Sequence, residues 1–151
     1  LAHVKSLSQR AKQRQGPGSV DRTDKANYNL DMTDMVALSP AEFARLAMDV
    51  ASDQLASDIV MLDIRKASDF ADYFIILTAE SGREMRNLAE QIERVVKENG
   101  ATLHHSEGTP GSGWMLLDVG DVIIHLFGPE EREFYDIEGA WSQTVEVVRL
   151  Q

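Results

Sequence analysis

Residues Tyr73-Phe74-Ile75-Ile76-Leu77-Thr78 form a continuous apolar, β-favouring run. A strand with one wet face alternates polar and apolar residues. An unbroken run reads as a central strand buried on both faces, and so requires a sheet with cover on each side. The flanks supply that cover. Ser39-Pro40-Ala41-Glu42 is a capping box with proline at the first helical position, and Phe43, Leu46, Ala47, Val50 and Ala51 follow at helical spacing. This helix is expected to fade near Ser57-Asp58, with a strand over 59–64. Ser81 and Glu84 form a second capping box ahead of Met85, Leu88, Ala89, Ile92, Val95 and Val96, and Asn99-Gly100 closes that helix.

Further strands are expected over 102–105, 114–118 and 121–127, with a flexible loop over 108–113. A short acidic helix opens at Pro129, and residues 137–141 add another turn. Residues 144–150 alternate and read as a loose strand. The pattern gives a single α/β domain, a mixed central sheet flanked by helices. The expected boundaries are a flexible basic tail or extension over 1–38, the domain over 39–142, and a C-terminal extension over 143–151.

A two-residue Val119-Gly120 link would fix the hairpin register. Asp118 would then face Asp121, Leu116 face Ile123, and Trp114 face His125, all on one side of the sheet. Met115, Leu117, Val122 and Ile124 take the other, purely aliphatic side, the natural core face. The mixed face suits a partly exposed surface or one covered by the following helix. Trp114 is then either an interface anchor or a cover for the sheet edge. His125, with no nucleophile beside it, reads as structural.

Charge narrows the partners. The chain carries a formal net charge of -10 over 151 residues. Residues 1–38 hold six bases and four acids, which leaves nine bases against 21 acids in the remainder. An acidic body repels phosphate backbones, so a broad nucleic-acid surface on the domain is not expected. A protein component is the better partner on any ribonucleoprotein. The basic tail is a candidate RNA-binding arm, or a transit segment, which Asp21, Asp24, Asp31 and Asp34 argue against. Met32 and Met35 are alternative starts. Cysteine is absent from the sequence, which removes disulfides, thiolate metal sites and a cysteine nucleophile. No apolar stretch approaches the roughly 20 residues of a membrane helix.

Chemistry finds little footing. Asp118 and Asp121 with Gly111-Ser112 are the elements a metal-dependent nucleotidyltransferase would need. Yet the Gly-Ser pair leads into a strand, and acids beside a hairpin turn serve the turn. His104-His105 point to opposite faces of a strand and cannot share one zinc ion. Ser81-Gly82-Arg83 at a helix start reads as a cap before it reads as an anion site. No catalytic residue, metal or cofactor is expected.

The segments Ala71-Asp72-Tyr73-Phe74-Ile75-Ile76, Gly113-Trp114 through Ile124-His125, and Glu131-Arg132-Glu133-Phe134-Tyr135-Asp136 through Trp141 resemble three motifs of the ribosomal silencing factor (Iojap) family, in the family's order. The resemblance spans about residues 40–142. It implies a nucleotidyltransferase-like domain without transferase activity. It also implies docking on the large ribosomal subunit through ribosomal protein uL-fourteen, a steric block to small-subunit joining, and repression of translation in the bacterial cytoplasm. Organellar relatives act in large-subunit assembly, and family members often pair as homodimers. Carried over by residue, the contact role falls on Trp114, Leu116, Asp118, His125, Arg132, Phe134 and Tyr135. Trp141 is expected to pack. Gly139-Ala140 departs from the bulkier or basic residues usual there.

Overall fold

The computed structural model describes residues 38–141 and 143–151. The tail expected over 1–38 therefore lies outside the described residues, except Leu38. Helix α1 (Pro40–Asp53) starts at the Ser39 cap. Ser39 Oγ accepts from the Glu42 amide at 3.2 Å and donates to Glu42 Oε1 at 3.0 Å, so the acid answers the hydroxyl and not the backbone. The helix ends earlier than expected. The chain turns through Leu55 at φ 63, with the Ala56 amide donating to the Ala51 carbonyl at 3.0 Å. Strand β1 (Ser57–Asp63) follows, then β2 (Tyr73–Thr78), whose six residues are all buried.

Helix α2 (Gly82–Glu98) is capped by Ser81, which accepts from the Glu84 amide at 3.2 Å. Here the acid reaches one residue past the cap, and Glu84 Oε2 accepts from the Glu80 amide at 2.8 Å. Strand β3 is His105–Glu107, later than the expected 102–105, because its antiparallel partner fixes Glu107 opposite Leu116. The 108–113 segment holds a 3-10 turn, Pro110–Ser112. Ser112 Oγ ties it down by donating to the Thr109 carbonyl at 2.7 Å. Strands β4 (Trp114–Asp118) and β5 (Val122–Phe127) form the hairpin, followed by α3 (Pro129–Tyr135), α4 (Ile137–Ala140) and β6 (Val145–Leu150).

Among the described residues the sheet has six strands in the order β3-β4-β5-β2-β1-β6. Among the described residues only β2 and β5 pair in parallel; the other neighbours are antiparallel. Residues 143–151, read from sequence as an extension, contribute the strand that pairs with β1. One face of the sheet, with Ile59, Met61, Ile75, Leu77, Leu117, Ile124 and Leu126, packs on Phe43, Ala47, Met48, Met85, Leu88 and Ile92 of α1 and α2. The other face is closed by α3 and α4.

The hairpin register differs from expectation by two residues. Asp118 faces Ile123, Leu116 faces His125 and Trp114 faces Phe127. The two-residue loop is Gly120-Asp121, closed by the Val119 amide on the Val122 carbonyl at 3.0 Å. Gly120 has φ 92, a conformation costly for Val119, so glycine takes the first loop position. The Asp118 carboxylate accepts from the Gly120 amide at 2.8 Å and holds the turn. A shift of two preserves side-chain parity, so the face assignment survives the register error.

Candidate functional site

The second face of the sheet is an aromatic layer. Phe74, Trp114, His125 and Phe127 project from β2, β4 and β5, and Tyr135 and Trp141 close over them. The Trp114 ring lies 4.9 Å from Phe127 and 4.6 Å from Tyr135. Phe74 meets His125 edge-on at 4.7 Å and Trp141 at 5.2 Å. Trp114 Nε1–H donates to His125 Nδ1 at 3.2 Å. That bond makes Nδ1 the acceptor and leaves the ring proton on Nε2. His125 is 0% exposed, and burial, reinforced by the charge of Arg132, pushes its pKa down to about 3. It is a neutral packing group, as the sequence suggested.

Arg132 fastens α3 to this layer. Its guanidinium is nearly buried and donates to the Asp58 carbonyl at 2.8 Å, to Thr78 Oγ1 at 2.9 Å and to Glu138 at 3.1 Å. It thereby joins α3, α4, the start of β1 and the end of β2. Arg149 of β6 extends the network to Asp58, Glu138 and Glu146.

This burial revises the expected contact set. Trp114, Leu116, Asp118, His125 and Arg132 are buried. In this conformation these five side chains are packed inside the fold, with Trp114 under Tyr135 and Arg132 turned inward from α3. The mixed face is therefore a second core, which resolves Trp114 as a covering and packing side chain, 7% exposed. Phe134 and Tyr135 reach the outside. Phe134 is 81% exposed, and Tyr135 is half-buried beneath it with the two rings edge to face at 5.0 Å. Glu130 and Glu133 are exposed on the same helix. The site is thus an aromatic tip on a short acidic helix, held by an arginine clamp. Helical periodicity could have singled out Phe134 from sequence, because Arg132 and Phe134 lie about 200° apart on a helix and cannot both face inward. Trp141 packs on Phe70 and Phe74, as expected.

Asp118 serves its turn. His105 Nε2 pairs with Glu107 at 2.9 Å, and among the described residues no cluster of three potential metal ligands forms. Among the described residues, no helix is long and apolar enough to cross a membrane.

Residues 37–151 match the family model described as ribosomal silencing factor during starvation. The chain belongs to the ribosomal silencing factor family. A ribosomal silencing factor of Halalkalibacterium halodurans is 32% identical over 112 residues, covering 73% of this chain and 96% of that protein. A crystal structure of a Chromobacterium violaceum protein superposes with TM-score 0.66 at 32% identity, covering 74% of this chain and 94% of that one. A mouse protein named for mitochondrial assembly of the ribosomal large subunit is 27% identical, over 83% of this chain and 50% of its own length. The silencing-factor fold here is thus a mixed sheet with α1 and α2 on one face and the aromatic layer on the other.

Proposed function

We propose that this ribosomal silencing factor docks on the large ribosomal subunit at protein uL-fourteen, blocks joining of the small subunit and so represses translation. The observation that carries the reading is Phe134, an 81% exposed aromatic beside Tyr135 on an acidic helix. Large exposed aromatics seated on rigid supports are typical binding anchors. The acid rim of Glu130 and Glu133 complements a basic ribosomal protein and speeds encounter more than it adds affinity. Trp114, Leu116, His125 and Arg132 act from beneath, by fixing the angle of α3. The mechanism is steric: occupancy follows mass action, and no bond is made or broken. The site of action is the cytoplasm of a bacterial cell, and a second copy of the chain is a further partner.

The mouse relative's name favours a second reading, in which the same contact assists large-subunit assembly. The two share a surface and differ in timing. Binding of the full chain to isolated large subunits tests the surface. Phe134→Ala should weaken it by about 1–4 kcal/mol, from roughly fivefold to nearly a thousandfold. Unchanged affinity with an intact fold removes α3 as the docking element.

A further inference from the structure

Two apolar side chains stand apart in exposure. Among the described residues, Leu55 is 86% exposed and Phe134 81%, whereas the next large hydrophobic, Val145, is 54% exposed. Phe134 is the docking tip of the reading above. A single exposed leucine is common on protein surfaces and needs no explanation by itself. Leu55 differs in its backbone.

Leu55 closes α1. Its amide donates to the Ser52 carbonyl at 3.0 Å, and the Ala56 amide donates to the Ala51 carbonyl at 3.0 Å. This is the bonding of a helix end that needs one left-handed residue. Leu55 supplies it at φ 63. Glycine or asparagine takes that conformation at less cost, and neither would show an apolar side chain to water. The chain thus keeps a strained, exposed leucine where the fold favours another residue. Strain of this kind points to a task outside the fold.

The position of this corner agrees. Trp114, Phe127, Thr78 and Ser57 are register partners in turn and form one row across the sheet. At the usual strand spacing the row spans roughly 14 Å. Phe134 stands at its Trp114 end, on the Tyr135 ring that packs against Trp114. Leu55 precedes Ser57 by two residues at the other end. A standard interface covers about 800 Å² of each partner, roughly 30 Å across, and takes in both.

Beyond the ends of β2 and β5, in the middle of the row, lies a pocket of about 370 Å³. Met85, Pro110 and Pro129 line it together with Glu80, Glu130 and Glu131. Ser57 Oγ donates to the Glu80 carboxylate at 3.4 Å, so the pocket and the Leu55 corner share a wall. Among the described residues, no lysine or arginine pairs with any of these glutamates. A lysine or arginine side chain has an apolar stem and a charged head, which suit methionine and proline walls beside carboxylates. Nucleic acid is the wrong occupant, because its phosphates would meet the same carboxylates.

We propose that Leu55 is a second docking anchor, seated with Phe134 on one basic protein whose lysine or arginine side chain enters the pocket between them. The inference rests on the docking reading above and adds to it the end of the sheet as the surface.

Binding of the full chain to purified large subunits, with thermal unfolding of each variant beside it, tests this. Leu55→Asn removes the apolar side chain and keeps the left-handed turn. It should leave Tm unchanged or raised and weaken binding about fivefold or more. Leu55→Gly repeats the test with the strain released. Glu80→Gln combined with Glu130→Gln keeps the shape of the pocket and should flatten the salt dependence of binding. Full affinity in both position-55 variants overturns the proposal. So does weakened binding that comes only with a lower Tm, since Leu55 would then serve the fold alone. An unchanged salt dependence in the glutamine double variant overturns the basic occupant. If Phe134→Ala weakens binding and the position-55 variants do not, the docking reading stands and this inference falls. If the unaltered chain does not bind, both fall.

Discussion

His125 sits inside the aromatic layer as a neutral imidazole, and its burial has a measurable pH signature. Its folded pKa is about 3, against a reference value of 6.5. Below ~6.5 the unfolded chain takes up a proton that the folded chain refuses. This contribution to stability is complete above ~6.5 and declines toward pH 3 by up to about 1.4 kcal/mol per unit. His125→Phe retains a ring but leaves Trp114 Nε1–H without its acceptor. The variant should be less stable near neutral pH, yet lose less on going to pH ~4.5, as read by urea unfolding at the two pH values. Arg132 is the other residue whose loss should be felt widely. Arg132→Ala strands the Glu138 carboxylate and the Thr78 hydroxyl and should cost about 2–4 kcal/mol. Arg132→Lys should recover little, because one ammonium cannot reach the Asp58 carbonyl, Thr78 and Glu138 together as the guanidinium fork does. Thermal unfolding of both variants checks this.

At the level of elements, the β3–β4 connection is built with almost no slack. Gly108 has φ +80, and a Cβ there would overlap the Trp114 carbonyl. Gly108→Ala should therefore destabilise by about 2 kcal/mol or more, through both strain and collision, and disturb the strand that carries Trp114. Amide exchange along β3 and β4 should show the loss locally. The hairpin explains how sequence can be right about faces and wrong about register. Val119-Gly120 and Gly120-Asp121 are equally plausible loops until the glycine's positive φ is assigned to the first loop position. Because the two choices differ by an even shift, parity is unaffected. The capping serines were legible, since a hydroxyl before an apolar stripe has one natural task. The path of Glu84 to Glu80 was not, because a flexible acid chooses among neighbouring amides by local geometry.

For the whole molecule, the continuous apolar run of β2 correctly demanded cover on both faces. What composition could not reveal was the identity of the second cover. Trp114, His125 and Asp118 look like surface chemistry beside an aliphatic stripe. The mixed face became a core because Trp114 finds its acceptor in His125, Asp118 finds a turn amide, and Arg132 neutralises its neighbours. Polar residues that satisfy one another can be buried, and pairing of that kind is invisible without the register. The alternation of residues 144–150 marked a loose strand, but its pairing with β1, and the register shift there between Met61 and Leu62, were not legible. Among the described residues no cluster of three potential metal ligands forms, the domain's sequence is acidic, and an aromatic tip stands clear of the surface on a clamped helix. The most direct measurement is subunit joining followed by sedimentation, with purified large subunits incubated with the full chain before small subunits are added. Fewer joined particles, with the chain travelling on free large subunits and the effect lost on Phe134→Ala, would agree with a steric block through α3. Undiminished joining at saturating chain, or equal uptake of the chain by joined particles, would contradict it.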